Sequence, residues 1–200
     1  IKKVCKRIKK KKLQTTRTLG QWDMEMNKPT YVDFEKDKYP WKPDIDYREN
    51  PHLYKIGRGQ QGVLICEPYK SELHPLWKFK TPEIAQLSAL KIINKFFGYL
   101  EENDFVGADM AKKYLHMGFT RSRRYYNHSS GKKWEKVPEE NICNYSGLPS
   151  PKSYTWEVLP YDRTEKRFLE SSEIFKNYWK IAREDSRYLK LKKQHRRKYV

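Results

Sequence analysis

Cysteine is scarce in this chain of 200 residues. Cys5, Cys66 and Cys143 are far apart and odd in number. They make no C-x-x-C pair and no zinc-type spacing, so neither a disulfide framework nor a metal or other cofactor is expected, and the chain reads as intracellular, from a reducing compartment. No apolar run approaches the ~18 residues of a membrane span, and no secretory h-region is visible. A membrane partner is therefore not expected. The sequon-like triplets Asn127-His128-Ser129 and Asn144-Tyr145-Ser146 are read as chance, because glycosylation needs a secretory route. Hydrophobic residues make up 37%, below the ~45–50% of globular chains, a figure that also counts glycine. The first residue is Ile1 rather than methionine, as expected where a native start lies upstream or is processed away.

Positive charge is abundant. Forty-three Lys and Arg face 25 Asp and Glu, for a net charge of +18. Residues 1–17 hold nine bases and no acid, among them Lys9, Lys10, Lys11 and Lys12. Residues 186–200 hold seven bases and no acid, among them Arg196 and Arg197. A third block, residues 110–136, carries eight bases against Glu135, and the remaining body is net acidic. Such blocks seek polyanions: nucleic acid, an anionic membrane or an acidic protein surface. The first block is rich in Lys rather than in Arg and Ser, which fits a binding arm better than a transit peptide.

Taken in order, residues 1–20 form the basic arm. Residues 21–40 read as an irregular wrapping segment, with Trp22, Tyr31, Phe34 and Tyr39, followed by Trp41, as aromatic anchors among prolines. The core domain spans 41–136. Within it Gly57-Arg58-Gly59-Gln60-Gln61-Gly62 matches G-x-G-x-x-G, but a short apolar run, Val63–Cys66, follows where a dinucleotide site needs a helix. A tight glycine turn is expected, with Arg58 at its tip within reach of a phosphate. Val63–Cys66 and Trp77–Lys80 read as two short strands.

Thr81-Pro82-Glu83 carries the signals of a helix start. Ala85, Ala89, Ile92, Ile93, Phe96, Phe97 and Leu100 then give an apolar stripe to about Asn103. Asp104 is an N-cap for a second helix, with Phe105, Ala108, Ala111 and Leu115 on one face. The pair is expected to make an αα-hairpin. Gly118 is expected to end the second helix as a left-handed C-cap, and Thr120 to cap a new one carrying Arg121, Arg123 and Arg124 beside Tyr125 and Tyr126. Residues 137–163 read as a linker. Residues 164–200 read as helices with a face of Phe168, Ile174, Phe175, Tyr178, Trp179 and Ala182, a break at Asp185-Ser186, and a basic tail. The expected fold class is thus α+β, mainly α-helical, with a small two-strand element, an αα-hairpin, a C-terminal helical extension and basic terminal arms.

The motifs Tyr54-Lys55-Ile56-Gly57-Arg58-Gly59, Glu67-Pro68-Tyr69-Lys70-Ser71-Glu72, Asp104-Phe105-Val106-Gly107 and Met117-Gly118-Phe119-Thr120-Arg121-Ser122-Arg123-Arg124-Tyr125 resemble an uncharacterised family of small basic domains, known as a domain of unknown function and seen in bacteria, phages and some eukaryotes. The resemblance covers about residues 44–134, with a weaker continuation near Phe175–Arg183. It implies domain boundaries rather than an activity. The arms and the 137–160 stretch depart from the compact pattern and read as additions.

Three functions suit these features. The first is a structural, non-catalytic component of a ribosome-type or virion-type particle that binds nucleic acid and touches neighbouring proteins of the assembly. Its phosphate contacts would be Arg58, Arg121, Arg123, Arg124, Lys132, Lys133, Arg196, Arg197 and the arm lysines Lys9–Lys12. RNA is expected over duplex DNA, because no helix-turn-helix, zinc-finger or basic-zipper pattern occurs. Trp134, beside Lys132 and Lys133, either stacks on a base or is buried. The second is a structural protein on an acidic protein lattice. The third is an enzyme on nucleic acid, drawing on Glu67, Lys70, Glu72, His74, Asp109, His116 and His128. Glu67 and Lys70 suit either a nuclease site or a plain ion pair. His116 suits either acid–base work or the helix dipole, and His128 is the histidine placed most like a general base.

Overall fold

The structure, a computed structural model, describes residues 38–138 and 154–199. Lys9–Lys12, Trp22, Tyr31, Phe34 and residues 139–153 of the expected linker lie outside the described residues. The described residues fall into two compact units. The larger contains α1 (Tyr69–Leu73), α2 (Pro82–Glu101), α3 (Phe105–Asn127), α4 (Lys166–Glu184) and α5 (Ser186–Tyr199). The smaller is a hairpin of β1 (Trp134–Pro138) and β2 (Tyr154–Val158). The fold is mainly helical α+β, as expected.

Local chemistry fixes α2 and the start of α3. The Thr81 hydroxyl accepts the Ile84 N–H, Pro82 occupies the first turn, and the Asp104 carboxylate accepts the Gly107 N–H at 2.9 Å. These contacts satisfy donors that a helix leaves orphaned. The predicted α2 stripe is buried apart from Phe97, which is half-buried. Ser88 and Tyr99 complete it. Ser88 fits because its hydroxyl donates to the Leu76 carbonyl at 2.6 Å and accepts the Lys78 N–H at 3.0 Å.

Gly118 does not end a helix. α3 runs unbroken from Phe105 to Asn127, and a Cβ on Gly118 would collide with the Phe175 ring. The glycine is there for close approach of α4, not for a left-handed turn, and Thr120 is an interior residue. α3 is the central element of the larger unit and packs against α1, α2, α4 and α5.

The strands lie elsewhere than expected. Val63–Cys66 is a series of turns, with the Ile65 and Cys66 N–H groups both donating to the Gly62 carbonyl. Trp77–Phe79 is irregular. Side chains of the helices take up their backbone groups: Tyr114 donates its hydroxyl to the Val63 carbonyl at 2.7 Å, and Ser88 serves Lys78. The observed hairpin pairs Trp134 with Val158 and Lys136 with Trp156, leaving Glu135 opposite Glu157. Those like charges weaken the pair.

Asp185 breaks the C-terminal region as expected, its carboxylate accepting the N–H groups of Arg187 and Tyr188. The basic tail is a helix to Tyr199. Tyr188 and His195 are buried, because positions 188, 195 and 199 share one helical face.

Candidate nucleic-acid interface

At the centre of the larger unit lies Asp109, fully buried. Its carboxylate takes hydrogen bonds from Tyr54 at 2.5 Å, Tyr188 at 2.6 Å and Lys112 at 2.6 Å, and pairs with Lys113 at 3.2 Å. Lys113 also donates to the Tyr54 hydroxyl and to the Gln61 carbonyl. Burial alone would raise the Asp109 carboxyl. Lys113 and Lys112, with the hydrogen bonds from Lys112 and Tyr188, outweigh it and hold the group well below the usual carboxylate range. Burial, then Asp109, push the Tyr54 and Tyr188 phenols up, so both remain donors. This group of side chains joins α3 to α5 and to the loop at residues 54–61. It leaves Asp109 saturated and enclosed, which removes it from the catalytic candidates.

The other acid–base candidates are dispersed. Glu67 pairs with Lys70 at 2.8 Å and accepts the Ser71 N–H and hydroxyl, which ties it to the first turn of α1. Glu72 faces away, to Arg48, Lys95 and Tyr99. Burial opposes ionisation there, but those three donors hold its carboxyl below the ordinary value. His74 is exposed and stacked near Trp77. His128 is 4% exposed, its ring edge-on to Tyr161, and its N–H ends α3 on the Arg124 carbonyl. Among the described residues no group of three His, Cys, Asp or Glu is placed to hold a metal ion.

The glycine loop is a tight turn, with Gly59 and Gly62 at φ +58° and +88°. Trp41 packs against Gly57 and Gly62, and the Gln60 amide donates to the Thr120 hydroxyl. The loop thereby carries exposed Arg58 to α3, at the residue just before Arg121. Arg121 and Arg123 are exposed and Arg124 is half-exposed. Lys132 and Lys133 follow in the turn beyond His128. Arg196 and Arg197 lie on the last turn of α5, and Lys190, Lys193 and Arg197 form a solvent-facing stripe along the helix. None of these three pairs with a carboxylate among the described residues.

Because α3 is continuous, Lys112, His116, Phe119 and Arg123 share one helical face. His116 is therefore an interior residue, not one at a helix end. Its ring stacks on Trp179 of α4 at 4.6 Å and 19°. Burial pushes its imidazole below the ordinary value. The Gly59 carbonyl opposes this, and Lys112 and Arg183 add to the lowering. Lys192 is lowered by burial and by Lys112 and Arg196. These repulsions mark one band of cations, from Arg196 and Lys192 through Lys112 to Arg183, with the neutral His116 ring between the last two. Of these, sequence reasoning picks out only Arg196 as a binding residue. The signal for Lys112 and His116 is the i, i+4, i+7, i+11 spacing on α3, hidden when the helix is broken at Gly118.

A family described as a domain of unknown function (DUF4385) matches residues 36–198, and the chain belongs to this family. The match spans the hairpin and the last two helices, further than the resemblance over about residues 44–134. No curated protein and no solved structure matches the chain.

Proposed function

We propose that the chain is a nucleic-acid-binding structural component of a larger assembly, with RNA as its polyanion and neighbouring proteins as further partners. The observation that carries this reading is the cationic band across α3, α4 and α5, together with the solvent stripe Lys190, Lys193 and Arg197. The bases of that stripe have no carboxylate partner among the described residues, whereas Asp109 beneath the band is already neutralised. A surface arranged in this way favours phosphate oxygens without reading sequence. The half-buried rings of His116, Phe119 and Trp179 beside Lys112 and Arg183 favour RNA, whose unpaired bases stack on side chains, over duplex DNA.

The test is equilibrium binding of the purified chain to fluorescein-labelled RNA at several salt concentrations. Arg123→Ala combined with Arg197→Ala is expected to weaken binding to all sequences alike. It should also flatten the salt dependence by about 0.7 in log–log slope for every phosphate of a single strand that is no longer neutralised. Unchanged affinity and slope would remove these residues from the interface. Sedimentation of the native protein with and without RNase tests the assembly. Dissolution by RNase supports a ribonucleoprotein, and a heavy particle that survives both RNase and DNase supports an acidic protein lattice instead.

A further inference from the structure

The cationic band contains an ordered pile of flat groups. Trp179 is shared by its contacts. The His116 ring stacks on it at 4.6 Å, and the Arg183 guanidinium carbon lies 4.7 Å from its centroid. Phe119 lies alongside, nearly parallel to Trp179 at 16° and 6.0 Å, with the Lys176 ammonium 6.0 Å from the Phe119 centroid. His116, Phe119 and Trp179 are each half-buried rather than enclosed. The Arg183 side chain is 49% exposed and donates to Glu184 at 2.7 Å. Glu173 is already bound to Lys176 through both oxygens, and Glu184 to Arg183, so neither acid stands free against an incoming phosphate. A core aromatic cluster needs no guanidinium on its outer side. This one holds Arg183, and the cation Lys112 lies beside His116, with Lys192 and Arg196 further along the band.

Resting on the nucleic-acid reading above, we propose that the Arg183–Trp179–His116 pile is a seat for an unpaired nucleobase, which stacks on the outward plane of Arg183. The flanking phosphates are met by Arg123 on α3 and Arg196 on α5. Only a base free of its duplex can offer a whole face to a guanidinium plane, so the seat selects single strands, loops or bulges over paired helices. Four layers result; charge–ring attraction supports the two contacts of Arg183, with the base and with Trp179, and ring stacking joins Trp179 to His116. His116 serves as a neutral plane at the foot of the pile, in agreement with its burial beside Lys112.

The decisive variant is Arg183→Lys. It keeps the charge on a residue at the surface and removes only the plane. Binding of the full chain is measured to a 12-nucleotide single-stranded RNA, to a 12-base-pair RNA duplex, and to the same single strand with abasic positions. The wild type is expected to prefer the single strand. Arg183→Lys should weaken single-strand binding about tenfold and leave duplex binding and the salt slope unchanged. The abasic strand should bind wild type as weakly as the intact strand binds the variant, with no further loss in the variant. If Arg183→Lys leaves single-strand affinity intact, or weakens single strand and duplex alike, the stacking seat is overturned while the RNA-binding reading stands. If the wild type binds neither RNA form, both are overturned.

Discussion

Exchanging Asp109 for Asn keeps the shape of the side chain but strips Lys113 of its counter-ion in a site where that lysine is 1% exposed. Breaking one half of a buried, hydrogen-bonded ion pair costs ~3–5 kcal/mol, so Asp109→Asn is expected to lower the urea midpoint sharply. The sign of the pH dependence follows from the direction of the shift. The Asp109 carboxyl lies lower in the fold than in the unfolded chain. Its stabilisation is therefore complete above the unfolded value of ~3.9 and is lost as the pH falls through that region towards the folded value. The stability gap between wild type and Asp109→Asn should narrow in acid, as paired urea titrations from pH 7 to pH 3 would reveal; a gap independent of pH would refute the assignment. Cys66 provides the opposite case. Burial pushes its thiol up to about 12, so the thiolate is absent near neutrality. Site-resolved mass spectrometry should find Cys66 unlabelled by iodoacetamide at pH 8 in the native protein and labelled in urea. Labelling without denaturant would contradict its enclosure.

Two glycines separate propensity from packing at the scale of the helix. Gly98 in α2 has nothing within 4 Å of an added Cβ, whereas a Cβ on Gly118 in α3 would run into Phe175. Gly98→Ala should stabilise by up to ~1 kcal/mol through helix propensity alone. Gly118→Ala gains the same propensity but overfills a packed contact at ~1–3 kcal/mol, so it should destabilise or at best break even. Thermal melts of the two variants check the contrast, and equal stabilisation would disprove close packing at Gly118. The pair also explains what could be read in advance. α2 was legible because its cap, its proline and its 3.6-residue period all coincide at Thr81–Leu100. The Asp104 and Asp185 caps were legible for the same reason. The length of α3 was not, since a glycine after a periodic run serves equally as a helix stop or as a point of close approach. What decides between them is Phe175, which lies far along the chain. The strands were misplaced for a related reason. Val63–Cys66 and Trp77–Lys80 have the apolar content of strands, but Tyr114 and Ser88 supply their hydrogen bonds in place of a partner strand.

Across the whole molecule, the surface cations should be separable from stability. Lys190, Lys193 and Arg197 are exposed and carry no ion pair among the described residues. Replacing all three with Glu is expected to change folding stability by no more than ~0.5 kcal/mol per site and, on the proposed RNA-binding function, to remove most of the affinity for RNA at physiological salt. Circular dichroism and anisotropy titrations on the same preparation would measure both. A variant that unfolds would place the stripe in the core, and one that binds unchanged would exclude it from the interface.

The sequence by itself determined the helical class, the caps at Thr81, Asp104 and Asp185, and the concentration of basic residues at α5. Each of these rests on chemistry within a turn or two of the residue concerned. It also identified the arginine-bearing segment of α3 and the family. Only the tertiary structure decided that α3 is continuous, that Asp109 is locked by two lysines and two tyrosines, and that His116, Trp179 and Arg183 lie in one pile. The members of each set are distant in sequence, and no local periodicity records which side chains will meet. Burial converts that meeting into energy. In water a carboxylate gains little from an ammonium, but in the low dielectric at the centre of α3 the same pair becomes one of the strongest constraints in the molecule.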